Sequence, residues 1–252
     1  MLTQYKRHSL HTHPRDGWFI VNPELGEFIT AVPPQQREGA HWYRGPFDAI
    51  RQNRYLIERS AASEVLVLDS GAIYRMDYAE LVRAHQESGA QVTLAVRGVS
   101  DPGCGSQPRV VLGPTGAIVA ISPPEPLPPT PPDWDPEAPG EAPEEALSSM
   151  GVYCFDKAWL LGALDEAAGE QETDTEIALE RIAPLLGGPT RACGYRFGEQ
   201  RGRVTPDRYW CNLDSIDAYY QANMALLKAE PPIDLYQADW SIRTYQGQFP
   251  PA

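Results

Sequence analysis

The stretch from Glu64 to Tyr78 constrains this chain more than any other. Val65-Leu66-Val67-Leu68 is a short unbroken apolar run that stops at Asp69-Ser70-Gly71. A run of that length, closed by an acidic residue and a glycine, predicts a strand buried on both faces, the situation of a parallel sheet. Asp77 then opens a helical pattern, with Glu80 as the capping-box partner and Leu81, Val82 and Ala84 on the apolar side. In open α/β sheets ligands sit beyond the carboxyl ends of the strands, so residues 69–78 are where chemistry is expected first.

The rest of the chain continues this alternation. Residues 46–60 read as a helix with Pro46 near its first position, and Val92–Val96 as a further strand. Helix, strand, helix, strand in that order implies βαβ crossovers and a parallel sheet. Val110–Leu112 and Ala117–Ile121, separated by Gly113-Pro114-Thr115-Gly116, predict a hairpin. Ser148–Phe155 predicts a strand, 157–168 and 174–186 helices, and Tyr209–Asp214 a short strand leading into a helix from the N-cap Ser215 to Lys228. Residues 123–143 hold ten of the 25 prolines mixed with acidic residues, so 123–147 is expected to be a solvated loop. The 252 residues fit one α/β domain, with 229–252 as a C-terminal linker segment.

A net charge of −13 argues against nucleic acid and anionic membranes as partners. No apolar run reaches the roughly 18 residues of a membrane span, and the first residues hold no signal-peptide core. Cys104, Cys154, Cys193 and Cys211 show no metal spacing and read as reduced thiols of a cytoplasmic protein. His8, His11 and His13 lie beside Pro14 and read as loop histidines rather than ligands. Trp42-Tyr43-Arg44-Gly45 serves equally well as a ligand platform or as packing.

Several motifs occur in one order: Leu-Thr-Gln-Tyr-Lys-Arg-His-Ser-Leu at 2–10, Gln-Gln-Arg at 35–37, Trp-Tyr-Arg-Gly at 42–45, Asp48-Ala49, Gln52-Asn53, Ile73-Tyr74, Met-Asp-Tyr at 76–78, Ser-Met-Gly at 149–151, Tyr209-Trp210 and Trp-Ser-Ile-Arg-Thr-Tyr at 240–245. In that order they resemble ADP-glucose pyrophosphorylase (glucose-1-phosphate adenylyltransferase), over essentially the whole chain. The resemblance implies a Rossmann-like nucleotide-diphospho-sugar transferase domain with a mainly parallel mixed sheet. It also implies the family's reaction, in which ATP and glucose 1-phosphate give ADP-glucose and pyrophosphate with Mg²⁺, in glycogen or starch biosynthesis. By the same resemblance the chain is expected to lack the family's first strand, its Gly-rich phosphate loop and its C-terminal β-helix.

Position by position, the resemblance implies altered chemistry. Gly71 falls where the family has a metal-binding aspartate, and Asn212 where it has a second. Asp69, two residues upstream, is displaced along an extended strand by about 6.6 Å, too far for Mg²⁺ geometry. The family's sugar-phosphate lysine aligns with Pro123, and none of the lysines (Lys6, Lys157, Lys228) is near in sequence. Glu176 aligns approximately with a glucose-binding aspartate. Tyr43, Gly45, Ser149, Gly151, Tyr153 and Trp210 remain as walls for sugar or base, or as packing. No catalytic position and no metal site is expected to be intact. Three readings follow: a silent sugar-nucleotide-binding or regulatory partner of an active paralogous subunit, an adenylyltransferase with parts missing from this chain, or a degenerate fragment.

Overall fold

The computed structural model describes residues 1–4, 8–18, 22–25, 27–35, 42–98, 107–124, 147–166, 177, 181–198, 208–238, 240 and 242. The chain forms two units, one of Met1–Asn53, Glu172–Asp174 and Asp234–Ala252, the other of Arg54–Gln171 and Thr175–Ile233.

In the first unit, Thr3 N donates to Val32 O (3.0 Å) and Val32 N to Met1 O (2.8 Å), tying the start of the chain into a parallel bridge. Helix α1 (His8–Gly17) contains Pro14, so the histidines lie on a helix and not in the expected loop. Pro14 removes an N–H donor and its ring crowds the carbonyl four residues back, while His11 Nε2 lies 3.1 Å from Thr3 Oγ1. Helix α2 (Pro46–Gln52) buries Phe47, Asp48 and Ile50. The expected single helix over 46–60 is interrupted at Asn53, whose Nδ2 donates to Ala49 O and to the Tyr43 hydroxyl, both at 2.8 Å.

The second unit opens with helix α3 (Arg54–Arg59) and strand β1 (Glu64–Leu68), followed by β2 (Ala72–Tyr74), helix α4 (Tyr78–Ser88) and β3 (Val92–Gly98). The hairpin β4 (Arg109–Leu112) and β5 (Ile118–Ser122), strand β6 (Leu147–Asp156), helix α5 (Lys157–Glu166), β7 (Ala192–Arg196), β8 (Trp210–Asn212) and helix α6 (Ile216–Ala225) complete it. The helix expected at 174–186 is described only in part, and there a short 3₁₀ turn spans Ala183–Leu185 around Pro184.

The sheet has the order β5-β4-β6-β3-β7, with β1 also on β6. The α/β class and the mixed sheet are as expected, but the neighbour relations are not. β1, β3, β4 and β7 share one direction, yet β6 runs against β1, β3 and β4 and separates them, so among the described residues only β3 and β7 form a parallel ladder. The long β6, buried from Leu147 to Phe155, occupies the centre that the sequence assigned to β1. β1 pairs with β6 alone among the described residues, and Leu66 and Leu68 are exposed rather than buried on both faces.

One face of the sheet packs Ala95, Met150, Val152 and Cys154 against Leu81 of α4 and Trp210. Leu81, Val92, Leu94 and Val152 are 0% exposed, each such side chain contributing about 1.5–3 kcal/mol relative to exposure. On the other face Tyr153 stacks on Phe155 and Phe155 on Trp159 of α5, with ring centroids 5.5 and 5.7 Å apart. β2 and β8 form a separate antiparallel pair, with Ala72 opposite Asn212 and Tyr74 opposite Trp210. Cys154, Cys193 and Cys211 are free thiols, as expected for these three, and burial pushes the Cys154 thiol up to about 12. Among the described residues no helix is long and apolar enough to cross a membrane.

Candidate functional site

β1 ends at Leu68, and the chain turns at once. Asp69 N donates to Gly151 O (2.9 Å), and the Asp69 carboxylate curls forward so that Oδ1 accepts from Gly71 N at 2.9 Å. Leu213 N donates to Gly71 O at 2.7 Å, which extends the β2–β8 ladder and brings Asn212 alongside. A Cβ built on Gly71 would lie 3.4 Å from both Asn212 Oδ1 and Asp69 Oδ1. The two positions that the resemblance assigns to metal carboxylates therefore face each other, one carrying no side chain and the other a neutral amide.

The distance argument against Asp69 assumed an extended strand. The turn removes that assumption: the backbone is displaced, but the carboxylate bends back over Gly71. Sequence reasoning set Asp69 aside; the local signal for its turn was the turn-forming Asp-Ser-Gly directly after the strand.

Gly151 makes the arrangement possible. Its φ is +68°, a left-handed conformation, and a Cβ there would stand 2.7 Å from the Asp69 Cβ. It sits where the β3–β6 register shifts between Leu94 and Val96, a bulge that bends β6 beside the site. Ser149, 0% exposed, holds this bulge by accepting from Gly151 N on its Oγ at 3.0 Å.

The remaining expected residues do not all converge. Tyr43 is buried in the first unit and its hydroxyl accepts from Asn53; Gly45 is the extended N-cap of α2. Tyr153 is buried in the aromatic stack on the sheet face opposite Trp210. Pro123 follows the end of β5 and is exposed. Glu176 lies outside the described residues. Lys157 gives its ammonium to the carbonyls of Glu58 (3.2 Å) and Ser60 (2.6 Å) at the end of α3, which occupies that lysine structurally.

Beside the Gly71 turn, Tyr78 Oη donates to Tyr74 Oη at 3.1 Å. Burial pushes both phenols above their usual range, so they act as neutral hydrogen-bonding groups at physiological pH. Asn212 is 8% exposed, and its Nδ2 reaches Asp214 Oδ2 at 3.4 Å. The Mg²⁺ of the family's chemistry is a hard cation that selects carboxylate oxygens in strict octahedral geometry. The donor set facing Gly71 is one carboxylate, already accepting a backbone N–H, and one amide oxygen. That set does not make a two-carboxylate clamp. Among the described residues no three His, Cys, Asp or Glu side chains are grouped to hold a metal ion.

The strand–turn–helix geometry at 64–88 agrees with a match of residues 1–104 to the nucleotidyl transferase family. The chain is thus an α/β protein whose residues 1–104 are similar to that family. Over all its residues it is similar to glucose-1-phosphate adenylyltransferases: it is 44% identical over 252 residues to glucose-1-phosphate adenylyltransferase 2 of Vibrio parahaemolyticus. It is 36% identical over 255 residues to the enzyme of Paraburkholderia phytofirmans, and 32% over 256 to that of Saccharophagus degradans. Each match covers 100% of this chain, but only 60%, 59% and 57% of the respective relative.

Proposed function

We propose that this chain is a catalytically silent adenylyltransferase-type domain that binds a sugar nucleotide and acts as the regulatory partner of an active paralogous subunit in the cytoplasm. Its ligands on this reading are ADP-glucose, ATP or glucose 1-phosphate. One observation carries the proposal: Gly71 and Asn212 meet across the site where two carboxylates are needed. Adenylyl transfer is almost wholly a matter of positioning and of neutralising charge on phosphates, through metal ions and cationic side chains. With a glycine, an amide and Pro123 at the corresponding positions, and Lys157 bound to helix carbonyls, that charge is not supplied. Trp210 and the Tyr74–Tyr78 pair remain as an aromatic, hydrogen-bonding wall beside the Asp69 turn.

The test is pyrophosphate release and ADP-glucose formation from ATP and glucose 1-phosphate with Mg²⁺. No product above the enzyme-free background is expected. Turnover that disappears in Asp69→Asn would overturn the proposal and make the curled Asp69 carboxylate a working group.

A further inference from the structure

Helix α6 is inside out. Of its residues only Ala222 is buried, with Ala218 and Ala225 partly so on the same side. The large apolar side chains point the other way: Ile216 is 87% exposed, Tyr219 59%, Tyr220 58%, Met224 43% and Leu227 77%. Leu227 continues the last turn, its N donating to Met224 O at 3.2 Å. At 3.6 residues per turn these five side chains fall in one stripe, with the three alanines on the opposite side. A surface helix ordinarily turns its large apolar residues toward the core. Here the inward side carries methyl groups alone, and the outward side carries the apolar bulk.

An exposed apolar stripe with polar residues along its rim marks an interaction site. The rim says what fits it. Asp217 and Lys228 are both exposed and lie on the same flank of the stripe, at opposite ends, about 16 Å apart at 1.5 Å per residue. A second copy related by a two-fold axis across the stripe runs antiparallel. Asp217 of each copy then meets the partner's Lys228, so the two charges complement each other twice. The antiparallel arrangement also sets the two helix dipoles head to tail. Asn223 lies midway between the two charges within the stripe, its Nδ2 donating to Tyr219 O at 2.8 Å. At the axis Asn223 faces its own equivalent, and a single polar position in an apolar seam sets register.

We propose that α6 is a homodimer interface, in which two copies of this chain pack their α6 stripes antiparallel about a two-fold axis. The exposed parts of the five apolar side chains come to on the order of 600 Å² per copy, below the roughly 800 Å² per partner of a standard interface and in the range of weak, reversible association. Each copy carries a net charge of −13, so the copies repel at low ionic strength. At roughly 0.15 M salt that field is screened within about 8 Å, and the apolar contact decides. The pairing goes beyond the proposed function and needs no ligand.

The experiment is sedimentation velocity of the full chain, from about 1 to about 200 μM protein at roughly 0.15 M salt. A reversible rise from monomer to dimer mass is expected. Tyr220→Gln combined with Leu227→Gln is expected to weaken the dimer about tenfold or more, while thermal unfolding of a dilute sample stays unchanged because both side chains are exposed. Asp217→Lys and Lys228→Asp are each expected to weaken it about fivefold, since each turns two attractive pairs into repulsive ones. Their equimolar mixture is expected to restore wild-type affinity, because the mixed dimer regains both pairs. A chain that stays monomeric throughout this range overturns the proposal, as does a dimer that the Tyr220 and Leu227 changes leave intact. A mixture no tighter than either variant alone overturns the antiparallel pairing. Failure to bind ADP-glucose in a chain that still dimerises would overturn the proposed function alone.

Discussion

Asp69 and Gly151 are the residues on which the site turns. The aspartate Cβ lies where a side chain at 151 would begin, 2.7 Å away, and the left-handed φ of +68° already disfavours any side chain there. Gly151→Ala therefore meets both a backbone penalty and a clash against backbone-anchored atoms. It is expected to lower unfolding stability by about 1–3 kcal/mol in urea denaturation; an unchanged midpoint would show that the turn relaxes freely. Gly71 is different, with ordinary contacts at 3.4 Å around its absent Cβ and no positive φ, so space does not dictate glycine there. That Gly71 and Asn212 lie together was legible in sequence from motif order. The curl of the Asp69 carboxylate was not, because it depends on where β1 stops and on a bulge in β6, distant along the chain.

Local signals account for the elements that sequence reading placed well. Helix α4 begins as its residues dictate, with Ala79 N donating to Asp77 Oδ1 at 3.0 Å, and α6 likewise, with Ala218 N donating to Ser215 Oγ at 3.1 Å. The hairpin closes through Gly113 N to Ala117 O at 2.8 Å, as its Gly-Pro-Thr-Gly turn implied. What failed was non-local: an apolar run such as Val65–Leu68 does not state which strand it will pair with, and β6 took the central place. Helix α4 also carries a pH response. His85 is buried, its Nδ1 2.8 Å from Thr93 Oγ1, and desolvation lowers its pKa, against weaker opposing effects of Glu64 and Asp156. The unfolded chain then binds the proton more readily than the folded one, so this contribution to stability is present above about pH 6.5 and is lost as pH falls through the folded pKa. Urea midpoints are expected to decline from about pH 7.5 to 5.5, with a flatter slope in His85→Gln; equal slopes would remove His85 from the account.

At the scale of the whole molecule, the sequence similarity runs the full length of the chain. The chain spans about 60% of the length of the curated relatives it matches. The strand–turn–helix unit, the Ser-Met-Gly bulge and the Tyr-Trp strand remain as a scaffold around the Asp69 turn. On the proposed reading, Gly71, Asn212 and Pro123 stand where the resemblance implies charged groups. The central claim is that the metal clamp is gone while a sugar-nucleotide surface persists. The most direct measurement is the affinity of the purified chain for ADP-glucose, by calorimetry, with Mg²⁺ and with the metal chelated. The account predicts measurable binding with the same dissociation constant in both conditions. Binding that Mg²⁺ tightens tenfold or more, a difference of about 1.4 kcal/mol, would contradict it and return a metal site to the Asp69–Asn212 pair.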